Sequence, residues 1–228
     1  MMEGGLALAI ETSTPLGSVA LGRDGRLLGE VVIGERTHHS ETLLPAIQFL
    51  LDAAGESTAA LRAIVVGAGP GSFTGVRIAA ATAKGLAHAL SIPLHAFSSL
   101  AAAAASAAQH DRPVCALFDA RRDEVYAACY RFLDLLGIEI MIEPAARRLD
   151  DLLHAALPLG PLFSGEGALR HEAAIRAAGG TLAPPHLGVP RAAALLWLHD
   201  LNGDVGRVDV ATWEPEYLRP PSAQRRAS

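Results

Sequence analysis

The stretch that most constrains this chain is a glycine-rich turn, Gly69-Pro70-Gly71-Ser72-Phe73-Thr74-Gly75. A β-branched run at 64–66 precedes it, and an alanine-rich helical pattern from Val76 to about Leu90 follows it. Three glycines and a proline in one turn predict a backbone that comes very close to another group. Free N–H groups at the start of the following helix suit an anion or a carboxylate. Strand, turn and helix together predict half of an α/β layer.

Three familiar templates for such a turn are not met. A P-loop requires a lysine after the last glycine, where Val76 and Arg77 stand. A dinucleotide-binding fingerprint requires glycine where Thr74 stands, and a nucleophile elbow requires serine where Phe73 stands. What the turn contacts must therefore be inferred from the rest of the chain.

Composition excludes several classes of protein. The chain has 228 residues, half of them hydrophobic, which is enough for one large domain or two small ones. A formal net charge of −5 gives no global attraction for nucleic acid. The first residues lack a basic segment and no run approaches a membrane span, so a cytoplasmic protein without membrane association is expected.

The chain has two cysteines, Cys115 and Cys129, placed seven residues either side of Arg122. In a hairpin centred on Arg122 they would face each other. Two buried thiols are the expected state for a cytosolic protein, and a disulfide is the alternative.

The two halves of the chain follow the same order of elements: strand, acid-ended turn, two strands, helix, strand, glycine turn and helix. Glu11 precedes Gly17 by six residues, and Asp119 precedes Val125 by six. This repetition predicts two duplicated lobes around a cleft. We expect an N-terminal lobe at 1–105, a C-terminal lobe at 106–219 whose last residues pack on the first lobe, and a disordered tail at 220–228.

Five segments, spread in order over residues 6 to 219, resemble the TsaB (YeaZ) family. They are Ile10-Glu11-Thr12-Ser13, His39-Ser40-Glu41-x-Leu43-Leu44-Pro45, the glycine turn from Gly69 through Arg77, Asp119-Ala120-Arg121-Arg122-Asp123-Glu124-Val125-Tyr126 and Pro215-x-Tyr217-Leu218-Arg219.

The resemblance implies an actin-like, sugar-kinase-like ATPase fold of two duplicated ribonuclease H-like lobes, in the α/β class. It implies a non-catalytic, dimerising and activating subunit of the complex that transfers threonylcarbamoyl to N6 of the adenosine adjacent to the anticodon in tRNA. The implied partners are a TsaD-like catalytic subunit and a TsaE-like ATPase subunit, with a homodimer as a further state. Contact with tRNA is expected only within the complex. No tightly bound cofactor is implied, because ATP and magnesium belong to the partner subunits.

The resemblance implies a vestigial nucleotide site at the two strand-end acids and the small residues near them. Its candidate residues are Glu11, Thr12, Ser13, Gly69, Gly71 and Asp119. Arg121 and Arg122 would crowd the phosphates of a bound nucleotide. The catalytic relative carries a metal-binding pair of histidines four residues apart, whereas His95 is followed at that spacing by Ser99. We therefore predict no catalytic residue and no metal site.

Two helices are candidates for binding a partner. The helix from Val76 to Leu90 is rich in alanine, which lets a second helix approach closely. The helix near Leu43–Leu51 is apolar over more than one stripe, as a helix covered on two sides requires. The two helices are expected to form a bundle with the catalytic subunit or with a second copy. The candidate residues are Leu43, Leu44, Ile47, Val76, Arg77, Ala80 and Lys84.

Two other functions are weighed against this one. An ATP-dependent kinase or hydrolase of the same fold would use Glu11, Asp119 and the glycine turns. A peptidase has less support, because the sequence has no His-Glu-x-x-His and no convincing Ser/His/Asp set. Residual nucleotide binding, the strength of a homodimer and contact of the basic tail with tRNA stay open.

Overall fold

A computed structural model describes residues 5–34, 39–108, 112–120, 124–133 and 137–218, without the side chains of 39 and 202–204. The expected tail at 220–228 lies outside these ranges, as do Arg121, Arg122 and Arg219. Within the described residues, two mixed sheets with helices form an α/β protein. None of the described helices is long and apolar enough to cross a membrane.

The first sheet takes up most of the first half of the chain. In the described part it has six strands in the order β11-β5-β4-β1-β2-β3. Its strands are β1 (Leu6–Glu11), β2 (Gly17–Arg23), β3 (Arg26–Ile33), β4 (Leu61–Gly67), β5 (Leu94–Phe97) and β11 (Arg207–Val208). Its connections contain helices α1 (His39–Ala54) and α2 (Phe73–Leu90). Strands β1, β4 and β5 are parallel neighbours, so their carboxyl ends meet at one edge.

The second sheet repeats this arrangement. In the described part it has five strands in the order β10-β9-β6-β7-β8. Its strands are β6 (Val114–Asp119), β7 (Glu124–Phe132), β8 (Ile138–Arg148), β9 (Leu162–Ser164) and β10 (Thr181–Leu182). The remaining helices are α3 (Ser99–Ser106), α4 (Leu149–Ala156), α5 (Glu166–Arg170), α6 (Glu172–Ala177) and α7 (Ala192–Asn202).

Side chains alternate along β1 between the two faces of the first sheet, and different helices pack on each face. Leu6, Leu8 and Ile10 pack in one core with α1 and α2. Ala7 and Ala9 point the other way, into a second core that contains α3, α7 and the inner face of the second sheet. The outer helices α1 and α2 therefore lie on the side of the first sheet that faces away from the second sheet.

Helix α7 is fixed to the first sheet by polar contacts at its start. The Ala192 N–H donates to Ser18 Oγ at 2.8 Å, and the Ala193 N–H donates to Glu30 Oε1 at 3.1 Å. The Arg191 guanidinium forms an ion pair with the same Glu30 carboxylate. These side chains satisfy amides that a helix N-terminus otherwise leaves unpaired.

The last described segment returns to the first sheet. Strand β11 pairs antiparallel with β5, and the Glu216 N–H donates to the Ala68 carbonyl at 2.9 Å. Residues 207–218, here called the C-terminal strap, thus run beside α2 on the side away from α1.

Some local predictions were wrong in detail. Helix α2 begins at Phe73, not at Val76, because the Ser72 side chain caps it by accepting the Gly75 N–H at 3.3 Å. The sequence predicts Pro45 near the first turn of α1, but α1 begins at His39, so Pro45 lies inside the helix. It also predicts a strand that ends before Pro144, whereas β8 continues past this proline, which an edge strand tolerates at an irregularity in pairing. One helix is expected through Ile175, and the structure has two, α5 and α6.

Candidate functional site

The carboxyl ends of β1, β4 and β5 meet around Glu11, whose side chain is fully buried. Glu11 Oε1 accepts the Ser13 N–H at 2.6 Å, and Glu11 Oε2 accepts the Ser99 hydroxyl at 2.8 Å. The Ser99 Oγ in turn accepts the Gly69 N–H at 3.2 Å. Glu11 thereby joins the end of β1 to the turn after β4 and to the start of α3.

The buried position of Glu11 changes the pKa of its carboxyl. Burial raises the pKa of the Glu11 carboxyl, and the hydrogen bonds from Ser13, Ser99 and Thr12 oppose that rise only in part. A methyl group placed on Gly67 would meet Glu11 Oε2 at 2.1 Å, so the carboxyl also lies directly against the end of β4.

The glycine turn is closed onto the turn that follows β1. An added Cβ at Gly71 would lie 2.2 Å from the Ser13 carbonyl oxygen, and one at Gly75 would lie 1.9 Å from the Thr12 carbonyl oxygen. The Ser72 N–H donates to the Ser13 carbonyl at 2.7 Å. The Thr12 hydroxyl donates to the Gly75 carbonyl, also at 2.7 Å. The close approach predicted from the glycines is therefore an approach to the chain's own backbone.

The second lobe repeats this closure. An added Cβ at Gly165 would lie 2.4 Å from the Leu117 carbonyl oxygen, and one at Gly167 would lie 2.9 Å from the Leu117 carbonyl carbon. Asp119, at the end of β6, forms an ion pair with Arg170 of α5. In each lobe a glycine turn packs on the end of the lobe's first strand, and the acid at that strand end is engaged by another part of the chain.

The six predicted nucleotide-site residues therefore fall into two groups. Five of them, Glu11, Thr12, Ser13, Gly69 and Gly71, lie together in the first-lobe contact, whereas Asp119 lies at the matching position of the second lobe. Their role in nucleotide binding stays a prediction. Among the described residues, no group of three or more His, Cys, Asp or Glu side chains is placed to hold a metal ion.

The two cysteines are direct partners in the β6–β7 ladder. Cys115 and Cys129 are both fully buried, and both are free thiols. The side-chain hydrogen bond between them, together with burial, raises the pKa of the Cys115 thiol. The pair belongs to the core of the second lobe.

Of the three predicted partner-binding residues on α1, two are buried and one is exposed. Leu43 and Ile47 are buried in the core between α1 and the first sheet. Leu44 is 56% exposed and Phe49 is 63% exposed, so these two large apolar side chains lie on the outer face. Phe49 belongs to the apolar stripe seen in the sequence, but helical spacing alone did not single it out.

Of the four predicted residues on α2, two are buried and two contact the C-terminal strap. Val76 and Ala80 are buried, so neither is available on the surface of this chain. The Arg77 Nε–H donates to the Tyr217 hydroxyl at 3.0 Å, and the Arg77 guanidinium lies 3.7 Å from the centre of the Phe73 ring. The Lys84 ammonium donates to the Trp213 carbonyl at 2.8 Å.

Comparison with known proteins decides the family. A family model described as "TsaD: tRNA N6-adenosine threonylcarbamoyltransferase" matches residues 27–180. The chain is 33% identical over 227 residues to the tRNA threonylcarbamoyladenosine biosynthesis protein TsaB of Bacillus subtilis, covering 96% of each. The chain belongs to the TsaB family. It is also 40% identical over 126 residues to the Escherichia coli TsaB, covering 54% of each chain.

Solved structures agree with this assignment. The structure of YeaZ from Pseudomonas aeruginosa superimposes with a TM-score of 0.79 at 34% identity, covering 93% of this chain and 99% of that one. A second Pseudomonas aeruginosa structure, described as similar to the peptidase YEAZ, gives a TM-score of 0.80 at 34% identity, covering 94% of this chain and all of that one. The predicted family and the actin-like ATPase-type fold are confirmed, and the protein acts in tRNA threonylcarbamoyladenosine biosynthesis.

Proposed function

We propose that this protein is a non-catalytic subunit that activates a TsaD-like transferase by docking on it through the outer face of α1 and α2. The observation that carries the proposal is the closure of the glycine turn on Thr12 and Ser13. The Ser72 N–H, at the start of α2, is taken up by the protein's own Ser13 carbonyl. The buried Glu11 carboxyl is likewise bonded to Ser13 and Ser99.

The surface that would dock is the outer face of the first lobe. Leu44 and Phe49 expose large apolar area on α1 in a chain whose other α1 leucines are buried. Exposed apolar side chains of this size on one helix are typical of a protein interface. The same face would pair with a second copy when the partner is absent, and the TsaE-like ATPase and tRNA would join only the assembled complex. Binding would act by favouring the competent arrangement of the catalytic subunit.

A reconstituted reaction tests the proposal. The TsaD-like subunit and the TsaE-like ATPase should modify tRNA in the presence of this chain and lose most of that activity in its absence. The chain alone should leave tRNA unmodified. Calorimetric titration of the isolated chain with ATP and magnesium should give no heat of binding, and micromolar binding with turnover would instead favour a kinase or hydrolase.

The docking face is tested by placing a charge on one of its exposed apolar positions. Leu44→Glu is expected to abolish co-purification with the TsaD-like subunit, because it buries a carboxylate in an apolar contact. Leu169→Glu is the matched control, because Leu169 is also exposed but lies in the second lobe. Ala80 is a poorer site for such a test, since its side chain is buried within the chain. Equal binding by the Leu44 variant and the control would refute the docking face.

A further inference from the structure

Helix α2 carries basic side chains and no acidic side chain, in a chain that is acidic as a whole. Its 18 residues include Arg77, Lys84 and His88 and no acidic side chain, whereas the formal net charge of the chain is −5. These three residues are spaced seven and four apart, which places them along one face of a helix. That face lies next to the C-terminal strap.

A groove lies where this face meets the strap. It has a volume of about 920 Å³ and is lined by Lys84, Gly85 and His88 of α2 together with residues 207–211. Arg207 is exposed at the start of β11 and adds a third basic side chain to the wall. Gly85 leaves the floor open, because nothing lies within 4 Å of the place a Cβ would occupy.

One acid, Asp209, also lines the groove, and hydrogen bonds within the strap together with the nearby Lys84 ammonium lower the pKa of its carboxyl. Asp209 Oδ1 accepts the Ala211 N–H at 2.7 Å and the Thr212 N–H at 3.1 Å. The Lys84 ammonium uses one of its three donors on the Trp213 carbonyl. With Lys84 and Arg207 against the single carboxylate of Asp209, the charged side chains that line the groove carry a net positive charge.

We propose that this groove receives an acidic side chain from the TsaD-like subunit, so that the partner's docking face is apolar opposite α1 and acidic opposite α2 and the strap. This inference rests on the proposed function and adds the chemistry of the partner's surface. Charge complementarity favours a partner that brings a carboxylate to this groove. The strap is then part of the binding surface, since Arg207 belongs to it.

The experiment measures binding of the full chain to the TsaD-like subunit of the same organism. Arg207→Glu should weaken binding about tenfold at low salt, and the difference should shrink as salt screens the contact. Arg207→Gln should lose roughly half of that effect on a logarithmic scale, since it removes the charge without reversing it. Arg148→Glu is the matched control, because Arg148 is exposed in the second lobe. Circular dichroism melting curves establish that each variant is folded.

Three results would overturn the inference in distinguishable ways. If the unaltered chain fails to bind the TsaD-like subunit at any salt, the proposed function fails and the inference with it. If the unaltered chain binds and the Arg207 variants bind as tightly as the Arg148 control, only the groove assignment fails. If the isolated chain binds tRNA, and the Arg207 variants lose that binding while keeping the protein partner, the groove is a phosphate-backbone site.

Discussion

Replacing Gly75 with alanine tests the reading of the glycine turn as an internal contact. An added Cβ would lie 1.9 Å from the Thr12 carbonyl oxygen, whereas ordinary contact begins near 3.4 Å. The start of α2 would have to move away from β1 by about 1.5 Å, the difference of these two distances. Such a movement also stretches the 2.7 Å hydrogen bond from the Thr12 hydroxyl to the Gly75 carbonyl.

The expected cost follows from these two losses. Overpacking typically costs about 1–3 kcal/mol, and a lost hydrogen bond about 1 kcal/mol. We therefore expect Gly75→Ala to lower the free energy of unfolding by about 2–4 kcal/mol. For a chain of this size, each 1 kcal/mol shifts the melting temperature by about 2–4 °C, so the midpoint should fall by roughly 4–16 °C.

Gly85→Ala is the matched control in the same helix. Gly85 is exposed, and nothing lies within 4 Å of the place its Cβ would occupy. Alanine there should stabilise the protein by about 0.5–1 kcal/mol, because it restricts the unfolded chain and favours helix. Thermal melting by circular dichroism compares the two variants. If Gly75→Ala melts at or above the unaltered chain, the turn is not packed on Thr12 and the proposed loss of nucleotide binding loses its main support.

Three further predictions concern groups away from this turn. Because burial raises the pKa of Glu11 in the folded state, its contribution to stability is full below its ordinary value of 4.5 and is lost as pH rises through the raised pKa. The stability of Glu11→Gln relative to the unaltered chain should therefore increase from acid to neutral pH in urea titrations, and a constant difference would contradict the assignment. Tyr217→Phe removes the acceptor of the Arg77 Nε–H. Because the Glu216 amide of the strap donates to the Ala68 carbonyl, its hydrogen exchange should become faster in this variant. Unchanged exchange would show that the strap is held without the Arg77–Tyr217 hydrogen bond. Cys115 and Cys129, both fully buried, should resist a thiol reagent in the folded protein and both react in denaturant without reductant, whereas no reaction in denaturant would indicate a disulfide.

The duplicated architecture was predictable because its signals are local. A β-branched run before a glycine turn and an alanine-rich helix after it predicted β4 and α2. The acid six residues before a returning strand occurs in both lobes, at Glu11 and Asp119. The alternation of Leu and Ala along β1 was also present in the sequence, but which face carries which helices depends on the packing of the whole fold.

The parts that sequence reasoning missed depend on contacts between distant residues. Strand β11 has two residues, and it pairs with a strand more than a hundred positions earlier, so no periodicity reveals it. Val76 and Ala80 of α2 are buried in the finished fold. An alanine in a helix carries no sign of which face is covered, so the sequence predicts Ala80 as a partner-binding residue, whereas its side chain is buried. The exposure of Phe49 was hidden in the same way within an apolar run.

The pairing of β11 with β5 has a consequence for biosynthesis. When the first 100 residues have left the ribosome, the edge of β5 and one flank of α2 are still without the segment that covers them in the finished protein. That segment is made after the second lobe. The first lobe must therefore wait, with unpaired strand edge and apolar surface accessible to chaperones, until translation reaches Tyr217.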